Sequence, residues 1–299
     1  MSVQPEMIIT HPQRAFRAGP LTIRETVYGI VKRLQFFLRC IGIECKSRQL
    51  NPSQVRVLDV GCGTGVNVTI PLAEAGYSVV GLDIHAPSIE RAQQLAAGLQ
   101  TIEFRCGALE QQCFDQDFHI VICSEVLEHI QRPHELLEAI SKVLCDEGLL
   151  LVTVPNGLGY YELESVLWRS IQRHPAIERA LYTMEDRFWR VFASKEIGSR
   201  RSQEYEPERL KLTQSTLNPD EKHYQSFWLS SIVRLLETHG FKVIRRQNGT
   251  LMGGNLVGLI ARECDVFLSW NADATDVLPR FLSCNWFICS RLSKSRSAS

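Results

Sequence analysis

Short apolar runs separated by amphipathic stretches fill the middle of this chain. Residues 55–60, 78–82, 102–106, 118–123 and 149–154 are the runs, and each reads as a strand. They are mostly continuous and not alternating, the pattern of parallel strands buried on both faces. Between them, a glycine-rich turn leads into a helix ending near Ala75, and residues 88–98 and 133–144 carry helical periodicity. Gly76 serves as a helix stop and Pro133 as a helix start. Strand–helix alternation at this spacing predicts an α/β fold with a doubly wound, mostly parallel sheet.

The flanks differ. In residues 21–40, Ile23, Val27, Ile30, Val31, Leu34 and Leu38 recur at three- and four-residue spacing, which predicts a helix within an N-terminal segment, 1–50. After Pro155 the rhythm breaks, and residues 158–221 read as an insertion after the fifth strand. It has helical patches at 161–171 and 177–192, then a polar stretch at 194–220. The pattern resumes with a helix at 229–239, a strand at 241–245 and a seventh and last strand at 256–261. The core thus comprises 51–157 and 222–263. Residues 274–288 predict a final amphipathic helix, so that 264–299 stands as a C-terminal helix and tail.

Composition narrows the function classes. Lys+Arg and Asp+Glu balance at 33 each, so bulk charge gives nucleic-acid binding no support. The ten cysteines include no C-x-x-C pair, which argues against a zinc ribbon or a dithiol redox site. Residues 1–13 lack a secretory leader pattern, and no apolar run approaches the roughly 18 residues that span a bilayer. A cytoplasmic location is expected. Peripheral membrane contact through the 274–288 helix, helped by Arg280, Arg291, Lys294 and Arg296, is the alternative to packing that helix on the core.

The sharpest chemical signal is Val57-Leu58-Asp59-Val60-Gly61-Cys62-Gly63-Thr64-Gly65. A buried strand ends in a turn whose glycines let backbone approach a ligand. The next strand ends at Asp83, 22 residues after Gly61. That matches the acid about 20 residues on which bonds a ribose hydroxyl, although Asp is also a common helix N-cap. A dinucleotide fingerprint needs a third glycine where this chain has Val66, which argues against an NAD-dependent oxidoreductase and for a nucleoside ligand without phosphates.

With Leu58–Gly65, Asp83, Cys123-Ser124-Glu125-Val126-Leu127-Glu128-His129 and Val152-Thr153-Val154-Pro155-Asn156-Gly157 in view, the chain resembles the class I methyltransferases that use S-adenosyl-L-methionine. Within them it resembles the ubiquinone-biosynthesis O-methyltransferase-like group (methyltransferase types 11 and 12). The resemblance covers residues 54–157 and, more weakly, 222–261. It implies a Rossmann-like fold of seven strands. It also implies that Asp59, Gly61, Cys62 and Gly63 line the methionine part of the cofactor, that Asp83 and Ile84 hold ribose and adenine, and that Ala108 and Leu109 flank the adenine. Ser124 joins this set. Many relatives carry Asp at or beside Ala108; this chain does not, which leaves adenine contact there to backbone groups. The acceptor expected is a small or lipid-linked molecule methylated on oxygen. An RNA 2′-O-methyltransferase and a non-catalytic cofactor-binding subunit are the rival readings.

An oxygen acceptor must lose its proton to a base or a metal. If residues 125–129 are helical, Glu125, Glu128 and His129 share one face at the carboxyl edge of the sheet. Two carboxylates and an imidazole can hold a divalent cation such as Mg2+ or Mn2+, with His223 as a fourth ligand. Some relatives use this E-x-x-E-H arrangement for a metal. Without one, Glu128 and His129 are the candidate catalytic pair, and either histidine could equally be structural. The 158–221 insertion lies where relatives build a lid over the acceptor. Its aromatic residues, Tyr160, Tyr161, Trp168, Tyr182, Phe188, Trp189 and Phe192, form either a platform for the acceptor or a small core of their own.

Overall fold

Five parallel strands form the first part of the main sheet in this computed structural model: β4 (Arg56–Val60), β5 (Ser78–Asp83), β6 (Ile102–Cys106), β7 (Phe118–Ser124) and β8 (Leu144–Pro155). The model describes residues 9–10, 13–18, 21–157, 159–177, 179–181, 183–184, 223–261 and 264–293. β9 (Phe241–Asn248) and β10 (Asn285–Leu292) complete seven strands, ordered β6-β5-β4-β7-β8-β10-β9. β10 runs antiparallel to both neighbours, pairing Trp286 with Val154 and with Asn248. The expected Rossmann-like, mostly parallel, seven-stranded sheet is therefore present.

The continuous apolar runs follow from cover on both faces. Val121 and Cys123 join one buried cluster with Leu136, Leu137 and Ile140 of α4 (Pro133–Val143) and Ile232 and Leu236 of α6 (Leu229–Thr238). Ile120 and Ile122, pointing the other way, join a second cluster with Phe37 and Ile41 of α1 (Ile30–Arg48) and Leu72 of α2 (Thr69–Glu74). α3 (Ala86–Leu95) packs beside β5 and β6.

Three expectations at the flanks are corrected. Residues 21–40 are not one helix. A small antiparallel sheet of β1 (Ile9–Thr10), β2 (Gln13–Ala18) and β3 (Leu21–Arg24) comes first, and α1 starts only at Ile30. Gly29 in left-handed conformation sets that start. The Glu25 carboxylate then accepts the Val31 and Lys32 N–H groups, each at 3.0 Å, so first-turn donors are satisfied by a side chain outside the helix.

Residues 255–261 are a helix, α7 (Asn255–Ala261), not the last strand. Short apolar runs fit either element. The buried Glu164 carboxylate, on α5 (Tyr160–Gln172), accepts the Leu256 N–H at the start of α7 and so favours the helix.

The predicted helix at 274–288 does not exist. α8 (Asp265–Ala274) ends where it was to begin, and Asn285–Leu292 is β10, the seventh strand. Trp286, Phe287 and Ile288 are 3%, 0% and 0% exposed between β8 and β9, so they cannot dock on a membrane. Ser283 breaks the helical pattern, since its Oγ accepts the Gly249 N–H and donates to the Asn285 carbonyl.

Lys32 is also buried. Its ammonium donates to the carbonyls of Gly249 and Ala272, to Thr275 Oγ1 and to Asp276 Oδ1, tying α1 to the segment after α8. Of the insertion, residues 159–177, 179–181 and 183–184 are described. Tyr182, Phe188, Trp189, Phe192 and the polar stretch at 194–220 lie outside the described residues, as does the side chain of Tyr161. Among the described residues, no helix is long and apolar enough to cross a membrane.

Candidate functional site

The glycine turn is stitched to the end of β5. Gly61 and Cys62 both donate to the Leu82 carbonyl, at 2.7 and 3.1 Å. Gly63 N–H donates to Asp83 Oδ2 and His85 N–H to Oδ1, both at 2.8 Å. Asp83 thus caps the chain entering α3 and also holds the turn after β4; each oxygen retains lone-pair capacity for a further donor. Gly61 is left-handed at φ 73, and a Cβ there would run into Val126. A Cβ at Gly63 (φ 54) would meet nothing within 4 Å, so the turn leaves open space on its outer side.

Around that space the expected residues take different roles. Ile84 is 70% exposed, an apolar surface that a flat purine could cover. Leu109 is buried in the short turn that Ala108 opens, and Gly107 N–H is bonded to the Asp83 carbonyl, which brings 107–109 beside the same edge. The Cys62 thiol contacts the Gly63 carbonyl at 3.5 Å and is pushed well up by burial. Ser124 Oγ is hydrogen-bonded to Thr153 Oγ1 at 2.9 Å, so its hydroxyl is engaged with β8.

Asp59 is buried and accepts a 2.6 Å hydrogen bond from Thr69 Oγ1. Burial raises its pKa to about 7 and Asp83 adds to the rise, while the Thr69 bond and Arg33 oppose it. Arg33, on α1, is only 8% exposed, and its guanidinium lies 3.8 Å from Glu125 Oε1. The apolar spacing in residues 21–40 does not mark Arg33 as a site residue. The local signal is that three and four positions beyond Lys32 and Arg33 lie Gln35, Phe36 and Phe37, with no carboxylate among them.

Of the four residues named for a metal, the structure brings three together. Residues 125–129 are not a helix: Glu125 has φ 56 and its N–H bonds the Thr153 carbonyl at 2.9 Å, and only Leu127–His129 form a 3-10 turn. The shared helical face of Glu125, Glu128 and His129 is thereby lost. Glu125 turns toward Arg33, while one ligand atom each of Glu128, His129 and His223 lies within 4.8 Å of the others. His223 returns to this pair because the Tyr224 and Gln225 N–H groups both donate to the Glu128 carbonyl. Glu128 is 1% exposed, and the His129 and His223 rings meet edge-on with centroids 4.8 Å apart. One carboxylate and two imidazoles suit a transition ion better than magnesium.

Residues 34–246 match a family model described as a methyltransferase domain. The ubiquinone biosynthesis O-methyltransferase of Bradyrhizobium sp. is 34% identical over 39% of this chain and 47% of its own length. That of Rickettsia conorii is 31% identical over 50% of this chain and 56% of its own. The chain thus spans about half the length of the curated relatives it matches. The crystal structure of the [4+2]-cyclase SpnF superposes with a TM-score of 0.50 at 13% identity, covering 86% of this chain and 81% of the other, and shares the fold. With a family match extending from α1 through most of β9, this chain belongs to the methyltransferase domain family.

Proposed function

We propose that this protein transfers the methyl group of S-adenosylmethionine to an oxygen atom of a small-molecule acceptor. The observation that carries the reading is Asp83. Its carboxylate organises the glycine turn and stands between the open space at Gly63 and the exposed Ile84, as a ribose with an adenine beyond it requires. Bound there, the cofactor supplies an electrophilic methyl on sulfonium. The chain's residues would hold its other parts: Asp59 the ammonium of the methionine part, and Arg33 its carboxylate. The names of the relatives, O-methyltransferases of ubiquinone biosynthesis, support oxygen as the acceptor atom.

Glu128, His129 and His223 act on that oxygen. Their donor set fits a divalent transition ion, which would lower the acceptor's pKa and remove the need for a separate base. A lipid-linked acceptor finds support in the loop joining α8 to β10. Val277 and Phe281 are 87% and 70% exposed there, and Asn156, at the end of β8, donates to the Phe281 and Ser283 carbonyls. This loop takes over from the absent helix as the site of peripheral membrane contact. Whether a labelled methyl ends in the aqueous or the lipid-soluble fraction of an extract separates the two acceptor classes.

The cofactor reading carries a pH signature. Asp59 in the free chain holds its proton up to about pH 7, and a bound ammonium favours the ionised form. Binding below that pH therefore expels a proton. Affinity for S-adenosylhomocysteine weakens by up to about tenfold from about pH 8 to about pH 6. Calorimetry in buffers of different ionisation heat reads the released proton. Absence of S-adenosylhomocysteine binding at either pH overturns the cofactor assignment, and binding without proton release removes Asp59 from it.

A further inference from the structure

His134 stands in the first turn of α4, and His239 closes α6. Both helices pack into the same core cluster on one face of the sheet. His134 Nδ1 lies 3.4 Å from His239 Nε2, and the two ring centroids are 5.1 Å apart. For a hydrogen bond between nitrogens this is long, and a collinear N–H···N arrangement of that length would separate the ring centres by about 5.7 Å. Two imidazole nitrogens each about 2.05 Å from one tetrahedral ion lie about 3.4 Å apart, with ring centres about 5.2 Å apart. Both observed distances fit the second arrangement.

The protonation pattern agrees. His239 Nδ1 is 2.8 Å from the Leu235 carbonyl. A carbonyl only accepts, so Nδ1 carries the hydrogen and Nε2 presents its lone pair toward His134. A backbone acceptor on the far nitrogen is the usual orienting device of metal-bound histidines. His134 is exposed and His239 half-buried, so an ion reaches the pair from solvent.

We propose that His134 and His239 form a second, surface metal site for a zinc-like divalent ion, with water in the remaining positions. Imidazole pairs suit zinc, nickel and copper and not magnesium or calcium. The ion would clamp the first turn of α4 to the end of α6. Neither residue belongs to the Glu128, His129 and His223 group, so the site does not rest on the proposed reaction.

Zinc titration of the full chain, followed by NMR of the histidine ring protons at about pH 7.5, tests it. The His134 and His239 resonances shift together and saturate at about one equivalent beyond that taken up by Glu128, His129 and His223, with a parallel rise in Tm. His134→Ala weakens the zinc response of His239 by at least about tenfold, and His239→Gln does the same to His134. His129→Ala leaves both responses in place. The proposal is overturned if either ring responds unchanged after loss of the other, or if zinc binds elsewhere without moving these two.

Discussion

Asp83→Ala lowers affinity for S-adenosylhomocysteine by at least about tenfold, and more than that if the glycine turn opens. Hydrogen bonds to a charged group contribute about 1.5–3 kcal/mol each, and 1.4 kcal/mol is tenfold. Two effects add here. The variant removes the acceptor for the ribose hydroxyls, and it also frees the Gly63 and His85 N–H groups that the carboxylate now holds at 2.8 Å. Asp83→Asn separates them. Its single carbonyl oxygen keeps one of the two backbone bonds, while its amide group faces the other donor without accepting it. The asparagine variant therefore retains part of the turn and less of the affinity than a purely structural role would leave. Calorimetry on variants whose unfolding temperature stays near that of the parent makes the measurement. Unchanged affinity in a folded Asp83→Ala protein removes ribose binding from this residue.

Chelation has the second large effect. With Glu128, His129 and His223 as ligands, exhaustive treatment with EDTA lowers turnover by at least about a hundredfold, as loss of a Lewis acid that ionises the acceptor does. Manganese or zinc restores it, and magnesium restores it less, because two of the three ligands are imidazoles. His223→Ala is about as damaging as His129→Ala. Glu125→Ala behaves differently, because that carboxylate lies against Arg33 and outside the cluster; its effect appears in cofactor affinity and not in metal affinity. Full turnover after chelation rules out the metal and leaves His129 and Glu128 as an acid–base pair.

The parallel half of the sheet was legible because its signals are local. Runs such as Val57–Val60, ended by the glycine turn, and Ile120–Cys123, bounded by Asp115-Gln116-Asp117 and Ser124-Glu125, are local, and a strand covered on both faces needs no more than that. The C-terminal third was not legible for a physical reason. Val277, Leu278, Phe281 and Leu282 recur at helical spacing, and Trp286–Cys289 resume the apolar character only three residues later. Only the vacant position between β8 and β9 makes the latter a strand, and one side of that position, β8, lies more than a hundred residues upstream.

The site divides in the same way. Asp59, the glycine turn and Asp83 sit within two neighbouring strands, so their order in sequence is their order in space. Glu125 was misassigned because its spacing to Glu128 was taken as helical, whereas a left-handed residue and a 3-10 turn separate them. His223 was offered as a fourth ligand from its place just ahead of the helix at 229–239, and its return depends on two hydrogen bonds to the Glu128 carbonyl that no local pattern announces. Lys32 and Arg33 look like any exposed pair of cations. Their burial is decided by Gly249, Ala272, Thr275 and Asp276 for one and by Asp59 and Glu125 for the other, all remote in sequence.

The most direct test of the account is to supply the full chain with S-adenosylmethionine carrying a deuterated methyl group, together with a metabolite extract and manganese, and to examine the aqueous and lipid-soluble fractions by mass spectrometry. The account predicts a product bearing the labelled methyl on oxygen, its formation lost in Asp83→Ala and in His129→Ala. Tight binding of the cofactor with no labelled product in either fraction would contradict it, and would mean that this fold binds the cofactor for some purpose other than methyl transfer.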